Sequence, residues 1–294
     1  LAATVNGSYN IQNNTIAGIT IAGTTVSGGI IPQWIQIQGT PAANSIVSNN
    51  LIGSTTTANS IRNNAPSPAV VSFAIRHIIT TGAAITMNNN TIQNITDFST
   101  NASSVNYGIL VIGTNGPSGT ITLTNNTIRN MSLNNGPATP VLSNLGISIQ
   151  GYAGLTHDIS GNTINGINLT NTGFFAGYAV GIQVQGSSLG GTMSKNKIYD
   201  LRNANTGPAP GVGGIYFSAG LNWTVSNNMI SLSNQGSTNN VDLTGISDVM
   251  GQNAIANFYY NSIYIGGTVT AGANNSYPYV RYSNSSVNIK DNIF

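Results

Sequence analysis

Nine asparagines recur at one place in a repeating phrase: Asn14, Asn50, Asn90, Asn126, Asn162, Asn196, Asn228, Asn261 and Asn292. Two residues after each stands an apolar residue: Ile16, Ile52, Ile92, Ile128, Ile164, Ile198, Ile230, Ile263 and Phe294. Three residues before each stands another: Ile11, Val47, Met87, Leu123, Ile159, Met193, Val225, Phe258 and Ile289. Successive asparagines are 36, 40, 36, 36, 34, 32, 33 and 31 residues apart. A fixed phrase with a drifting period marks a stacked solenoid whose repeats differ in their loops.

The fourth repeat shows the phrase most cleanly. Ile121 and Leu123 alternate with Thr122 and Thr124, the period of a strand with one buried face. Asn125-Asn126 interrupts the alternation, and Ile128 and Met131 resume an apolar face after a bend. Asparagine tolerates a left-handed backbone and bonds to nearby main chain, so one at the same corner of every turn would stack as a ladder. Each repeat also holds a second strand phrase, often opened by glycine: Gly108-Ile109, Gly146-Ile147, Gly181-Ile182, Gly214-Ile215 and Gly245-Ile246. Loops rich in Gly, Pro, Asn and Thr separate the phrases. Three short strands per turn without helical periodicity predict an all-β parallel β-helix of about eight to nine rungs, with the asparagine ladder at one corner. Eight full turns at about 4.8 Å each make a rod about 40 Å long. Hairpin turns every 8–12 residues, the sign of a β-sandwich, do not fit the longer period.

The phrase Ile-x-x-Asn-x-Ile followed by Gly-Ile-x-Ile-x-Gly, as in Gly146 to Gly151, resembles the repeats of right-handed parallel β-helix proteins of the pectin-lyase-like type. The likeness is greatest to large secreted and surface β-helix proteins of Bacteroidetes, and it extends over essentially the whole chain. It implies the fold. It does not imply one activity, because that fold hosts lyases, hydrolases, tailspikes and adhesive stalks.

Composition narrows the function. Charged residues make up only 5% of the chain, and the net charge of +2 is spread over eight Lys/Arg and six Asp. No basic cluster of the kind that neutralises several phosphates is present, so nucleic acid is not an expected partner. There is no cysteine, hence neither a disulfide nor a thiolate metal site, and no run of about 18 apolar residues to span a bilayer. This balance, with its amide and hydroxyl surface, fits an extracellular or cell-surface location. The chain has no signal-like opening and begins and closes within a repeat phrase, without a cap helix. It is therefore expected to be one β-helix domain, residues 1–294, cut from a longer protein, with flanking domains or end-to-end stacking at its ends.

No catalytic residue, metal site or cofactor is nominated. The acids fall at scattered offsets: Asp158 four before a corner asparagine, Asp291 one before, Asp200 four after, Asp97 and Asp242 at loops, and Asp248 in the second strand. A glycosidase or lyase needs carboxylates that converge. His157-Asp158 is the one adjacent His/Asp pair, but strand neighbours face opposite sides, and His157 holds the position of buried Ile121. Lys195, Lys197, Asp200 and Arg202 form the densest charged patch and read as solvated surface.

Two outward rows are the candidate binding face. One flanks the strand before the corner and includes Thr86, Thr122, Thr124, Thr192 and Thr224, a Thr-x-Thr-like array resembling the ice-contacting face of β-helical antifreeze proteins. The other follows the second strand through Gln36, Gln38, Gln150, Gln183, Gln185 and Tyr216, with Arg76 and Arg281 at matching positions. Tyr107, Phe174, Phe175, Tyr178 and Tyr277 add aromatics that stack on sugars. The reading is a non-enzymatic structural or adhesive module, a stalk, adhesin or filament segment, with glycans or other surface proteins as partners. The alternatives are a carbohydrate-active β-helix enzyme (lyase or hydrolase) and an ice-binding protein.

Overall fold

A computed structural model describes residues 2–5, 7–22, 32–39, 45–65, 70–79, 84–98, 104–114, 118–134, 141–151, 154–170, 176–186, 188–205, 211–233, 241–251, 253–267 and 275–294. The alternation in the fourth repeat becomes the strand Gly119–Thr124, with Ile121 and Leu123 buried and the threonines between them turned outward. The chain bends at Asn125-Asn126, continues as Thr127–Leu133, and returns as Val141–Gln150. Each strand then pairs in parallel with the equivalent strand one turn away. Ile121 lies between Ile85 and His157, Ile128 between Ile92 and Ile164, and Ile147 between Ile109 and Ile182. The result is a right-handed parallel β-solenoid with three sheets of nine, nine and ten strands in chain order, and no helix among the described residues. The pre-corner sheet and the glycine sheet, which carries the Gly-Ile phrases, have nine strands each, and the post-corner sheet has ten.

Six turns, from Ile85 to Arg281, carry one unbroken strand on every face. The expectation of eight to nine equivalent rungs is corrected to these six regular turns. In the two turns before them the post-corner strand is split, into Thr15–Ile16 and Ile19–Ile21, then Leu51–Ile52 and Ile61–Asn63. Left-handed Gly18, Gly53 and Asn59 lie in the breaks, and the second break holds the insertion that lengthens one spacing to 40. In the four turns that follow, the same strand passes the bend with one left-handed residue, at Asn94, Asn130, Gly166 and Asp200, four after the corner asparagine.

The corner asparagines form the ladder. Asn126 Nδ2 donates to Asn162 Oδ1 at 3.0 Å and to the carbonyl of Met87 at 2.9 Å, while its Oδ1 accepts from the backbone N–H and the Nδ2 of Asn90, each at 3.0 Å. The same amide-to-amide links join all nine asparagines from Asn14 to Asn292, and the seven interior ones are buried. The carbonyls they cap belong to the apolar residues three before the preceding corner, from Ile11 to Phe258. The left-handed turn, however, is made by the residue before each corner asparagine. Asn13, Asn49, Asn89, Asn125, Lys195, Asn227, Tyr260 and Asp291 have φ of 54–58°, and Gly161 has 67°. One residue bends the chain and the next seals it.

Glycines of the third sheet have a steric role. A Cβ on Gly146 would fall 2.7 Å from Cγ2 of Ile164 and 2.6 Å from the carbonyl oxygen of Gly181. Gly108, Gly181, Gly214 and Gly245 meet Ile128, Ile198, Ile230 and Ile263 in the same way. In these five turns the isoleucine two after the corner thus crosses the core and seats on the glycine of the opposite sheet. Burying each such side chain contributes roughly 1.5–3 kcal/mol. In the last phrase the flanking apolar residues, Ile289 and Phe294, are exposed.

Two substitutions test these devices. Asn126→Ala strands a carbonyl, a backbone N–H and a neighbouring amide in the core, and at about 1–3 kcal/mol per buried group it should cost about 3–5 kcal/mol in urea unfolding. Gly146→Ala should cost about 1–3 kcal/mol by overpacking. A loss below about 1 kcal/mol for Asn126→Ala would remove the ladder from the stabilising interactions.

Candidate functional site

The ladder saturates its own amides, so the polar groups open to a ligand lie on the faces. On the pre-corner sheet the register sets Thr86, Thr122, Asp158, Thr192 and Thr224 side by side. A parallel outward row runs through Asn88, Thr124, Ser160, Ser194 and Ser226. Asp158 interrupts the hydroxyl array and accepts a hydrogen bond from Thr192 Oγ1 at 3.3 Å.

On the glycine sheet the row expected from Gln36 to Tyr216 divides. Gln36 pairs with Arg76, whose guanidinium lies over the Phe73 ring, and Gln36 Nε2 donates to Gln38 Oε1 at 3.5 Å. Buried Leu110 follows in that column, then Ser148, Gln183 and Tyr216. Gln150 pairs with Gln185 and donates to the Tyr107 hydroxyl at 3.4 Å. Arg281 does not belong to this row. Its register partner is Asp248, one column inward, and Val280 takes the place beside Ser247. Phe174 and Phe175 lie outside the described residues.

Around Tyr216 the outward face sinks into a cleft of about 210 Å³ between Tyr178, Tyr282 and Asp242. Its floor is Gly211 and Gly213, and a Cβ on Gly211 would sit 2.9 Å from Cδ1 of Tyr178, so the missing side chain lets the ring lie against the sheet. Thr244 and Ser247 add hydroxyls, and Asp242 Oδ1 accepts from the Asn275 backbone N–H at 3.0 Å. Sequence reading named Tyr178 and Tyr216 but missed Asp242, Tyr282 and the glycine floor. The signal was the run Gly211-Val-Gly-Gly214, where a strand has no outward side chain to fill its face.

The titratable groups divide between core and surface. His157 points inward and Asp158 outward, as strand alternation requires. His157 is buried within the core, not at its margin, and its ring stacks on Trp223 with centroids 5.7 Å apart at 20°. The turn between them contributes Gly191 to that column, which makes room for both rings. Burial lowers the His157 pKa to about 4 against a weaker opposing effect of the Gly190 backbone. His77 is also buried, bonded through Nε2 to the Tyr9 hydroxyl, and burial lowers its pKa to about 3.

Asp248 lies fully buried in the inward column of the glycine sheet. Tyr279 Oη donates to it at 3.2 Å, the Ser283 and Ser285 hydroxyls at 3.0 and 3.3 Å, and the Met250 backbone N–H at 3.0 Å, with Arg281 Nε 3.8 Å away. Burial first, and then this carboxylate, raise the Tyr279 hydroxyl pKa well above its ordinary value. Asp200 pairs with Arg202 at 2.7 Å with both side chains substantially exposed, a pair worth about 0–1 kcal/mol. Lys195 and Asp291 hold left-handed positions at the corner itself. No two of the six aspartates are register neighbours, and no three His or Asp side chains converge on a metal-sized site among the described residues.

Comparison with known protein families, with curated proteins and with solved structures finds no match to this chain. The class is accordingly defined by its architecture: a three-sheeted parallel β-solenoid with a buried asparagine ladder.

The buried histidines give a pH dependence with a definite sign. Both pKa values are lower in the folded state than the ordinary 6.5. The unfolded chain therefore takes up protons first, and stability that is complete above pH 6.5 is lost as pH falls toward 4 and 3. Each histidine should cost about 2–3 kcal/mol at pH 4.5. His157→Ile, which copies Ile121 one turn earlier, should roughly halve the drop in urea midpoint between pH 7 and 4.5. An unchanged drop would assign the acid sensitivity elsewhere.

Proposed function

We propose that this chain is a non-enzymatic extracellular β-helix module, a stalk or adhesive segment that binds glycans through the tyrosine cleft of its glycine sheet. The reading places it with the secreted and surface proteins of pectin-lyase-like architecture that its repeat phrase resembles. One observation carries it: Tyr178, Tyr216 and Tyr282 line a cleft opened by Gly211 and Gly213, with Asp242, Thr244 and Ser247 beside them. Aromatic faces stack on the C–H faces of sugars, and the carboxylate and hydroxyls accept and donate to sugar hydroxyls. An amide-rich surface with only 5% charged residues and no basic cluster favours uncharged glycans over polyanions. A stiff rod with variable loops suits display at a surface, because each turn is held by the one below and loop changes leave the core unaltered.

The reading is tested by titrating the protein with neutral and acidic oligosaccharides while assaying for new reducing ends and unsaturated products. Saturable binding in the micromolar to millimolar range, weakened at least tenfold by Tyr216→Ser, is the expected outcome, with no product formed. Product release would transfer the chain to the carbohydrate-active enzymes. Binding indifferent to Tyr216 would dissociate the cleft from glycan recognition.

A further inference from the structure

A second, chemically different groove lies on the post-corner sheet, well away from the tyrosine cleft. Its volume is about 550 Å³, and its outward side chains are Lys197, Tyr199, Met229, Ser231 and Tyr264, with Ile293 and Phe294 beside them. The register explains the shape. Tyr199, Ser231 and Tyr264 occupy one outward column on three successive turns, and Lys197, Met229 and Ser262 occupy the next. The equivalent positions in earlier turns are polar: Gln93, Arg129 and Asn165 in the first column, Thr91, Thr127 and Thr163 in the second. In these columns, polar in the earlier turns, Tyr199, Met229 and Tyr264 are 43%, 57% and 64% exposed. A contiguous exposed apolar patch of this kind marks an interaction site.

Like side chains on neighbouring turns of a parallel sheet stack along the rod axis. Ser231 removes the middle ring from what would be a stack of three. The backbones of Tyr199 and Tyr264 are then two strand spacings apart, about 9.6 Å. A flat ring held on both faces needs about 7–8 Å between the rings that hold it, twice a carbon contact of 3.5–4.0 Å. The gap left at Ser231 is therefore wide enough to admit one flat ring. The core contains the same arrangement closed, where His157 and Trp223 meet across Gly191. On the surface the two tyrosines make no ring contact among the described residues, and Tyr264 is seated instead over Gly266, where a Cβ would fall 2.6 Å from its Cζ. The charge in the groove comes from Lys197, which makes no ion pair among the described residues. Together these features call for a ligand with a flat apolar ring and a negative group one strand-column away.

We infer that this groove binds a planar aromatic anion, its ring between Tyr199 and Tyr264 above Met229 and its carboxylate or sulfonate at Lys197. The inference does not depend on the glycan reading, since it uses a different sheet and different residues.

The experiment titrates the whole chain with 2-naphthoate and with neutral 2-naphthamide by calorimetry and ligand-observed NMR. Saturable naphthoate binding at submillimolar concentration is expected, with the amide several-fold weaker and the difference shrinking in 0.5 M salt. Tyr199→Asn and Tyr264→Ser import residues that the column already carries at Asn165 and Ser231, so the fold should persist. Each should weaken naphthoate at least tenfold, whereas Tyr282→Ser in the other cleft should leave it unchanged. Lys197→Thr, copying Thr163, should bring naphthoate down to the level of the amide. Absence of saturable binding below millimolar, or binding insensitive to both tyrosine substitutions, would overturn the site. Equal loss of naphthoate and naphthamide on Lys197→Thr would overturn the anion assignment.

Discussion

A primary amide has two donors and an acceptor with two lone pairs, and the corner of a parallel β-solenoid presents a matching set of needs. At each bend the strand ladder stops, leaving a carbonyl and an N–H pointing along the rod axis inside the core. The asparagine amide meets both and passes the pattern to the next turn, as Asn126 does between Asn90 and Asn162. Aspartate would lack the donors and serine the reach, and a buried group left unmatched costs about 1–3 kcal/mol. Because every amide points the same way, the bonds polarise one another along the column. The spacing of the ladder is the spacing of the strands, so it fixes the register of all three sheets.

The left-handed residue before each corner and the glycine opposite each isoleucine follow from that register. Once the bend is held, the isoleucine two residues on crosses to the same height of the glycine sheet, where a glycine receives it in five turns and the small Ala74 holds the matching place in the turn before Gly108. Volume is then balanced between turns. Gly191 separates His157 from Trp223, and Tyr279 enters the core because its hydroxyl reaches Asp248. Loops absorb the drift of the period from 31 to 40 residues without disturbing these contacts. Variation is thereby left mainly to the outward columns.

The candidate binding surfaces were less legible than the core for a physical reason. Inward positions announce themselves by apolar identity, turn after turn, whereas an outward column becomes visible only when the register is known. Tyr199 and Tyr264 are 65 residues apart and become neighbours across Ser231 only through two successive strand pairings. Arg281 shows the same difficulty in reverse. Val280 looks like the buried residue of its strand, but Tyr279 takes that place beside Ile246, which shifts Arg281 inward to Asp248. The glutamine row was legible as polar residues, yet Leu110 divides it in space.

The chain alone determined the architecture: a repeated Ile-x-x-Asn-x-Ile phrase carries both the strand period and the corner hydrogen bonds, and stacking the turns in register pairs all nine amides, seven of them buried. It also determined which residues could not be the site, since ladder and core positions are spoken for by their own contacts. Tertiary structure decided how many turns are regular, which residue of each corner bends, and which distant side chains share a groove. Those depend on local breaks such as the one at Gly53 and on pairings 31 to 40 residues apart, and neither the energy of a break nor the identity of a neighbour is written in any one repeat.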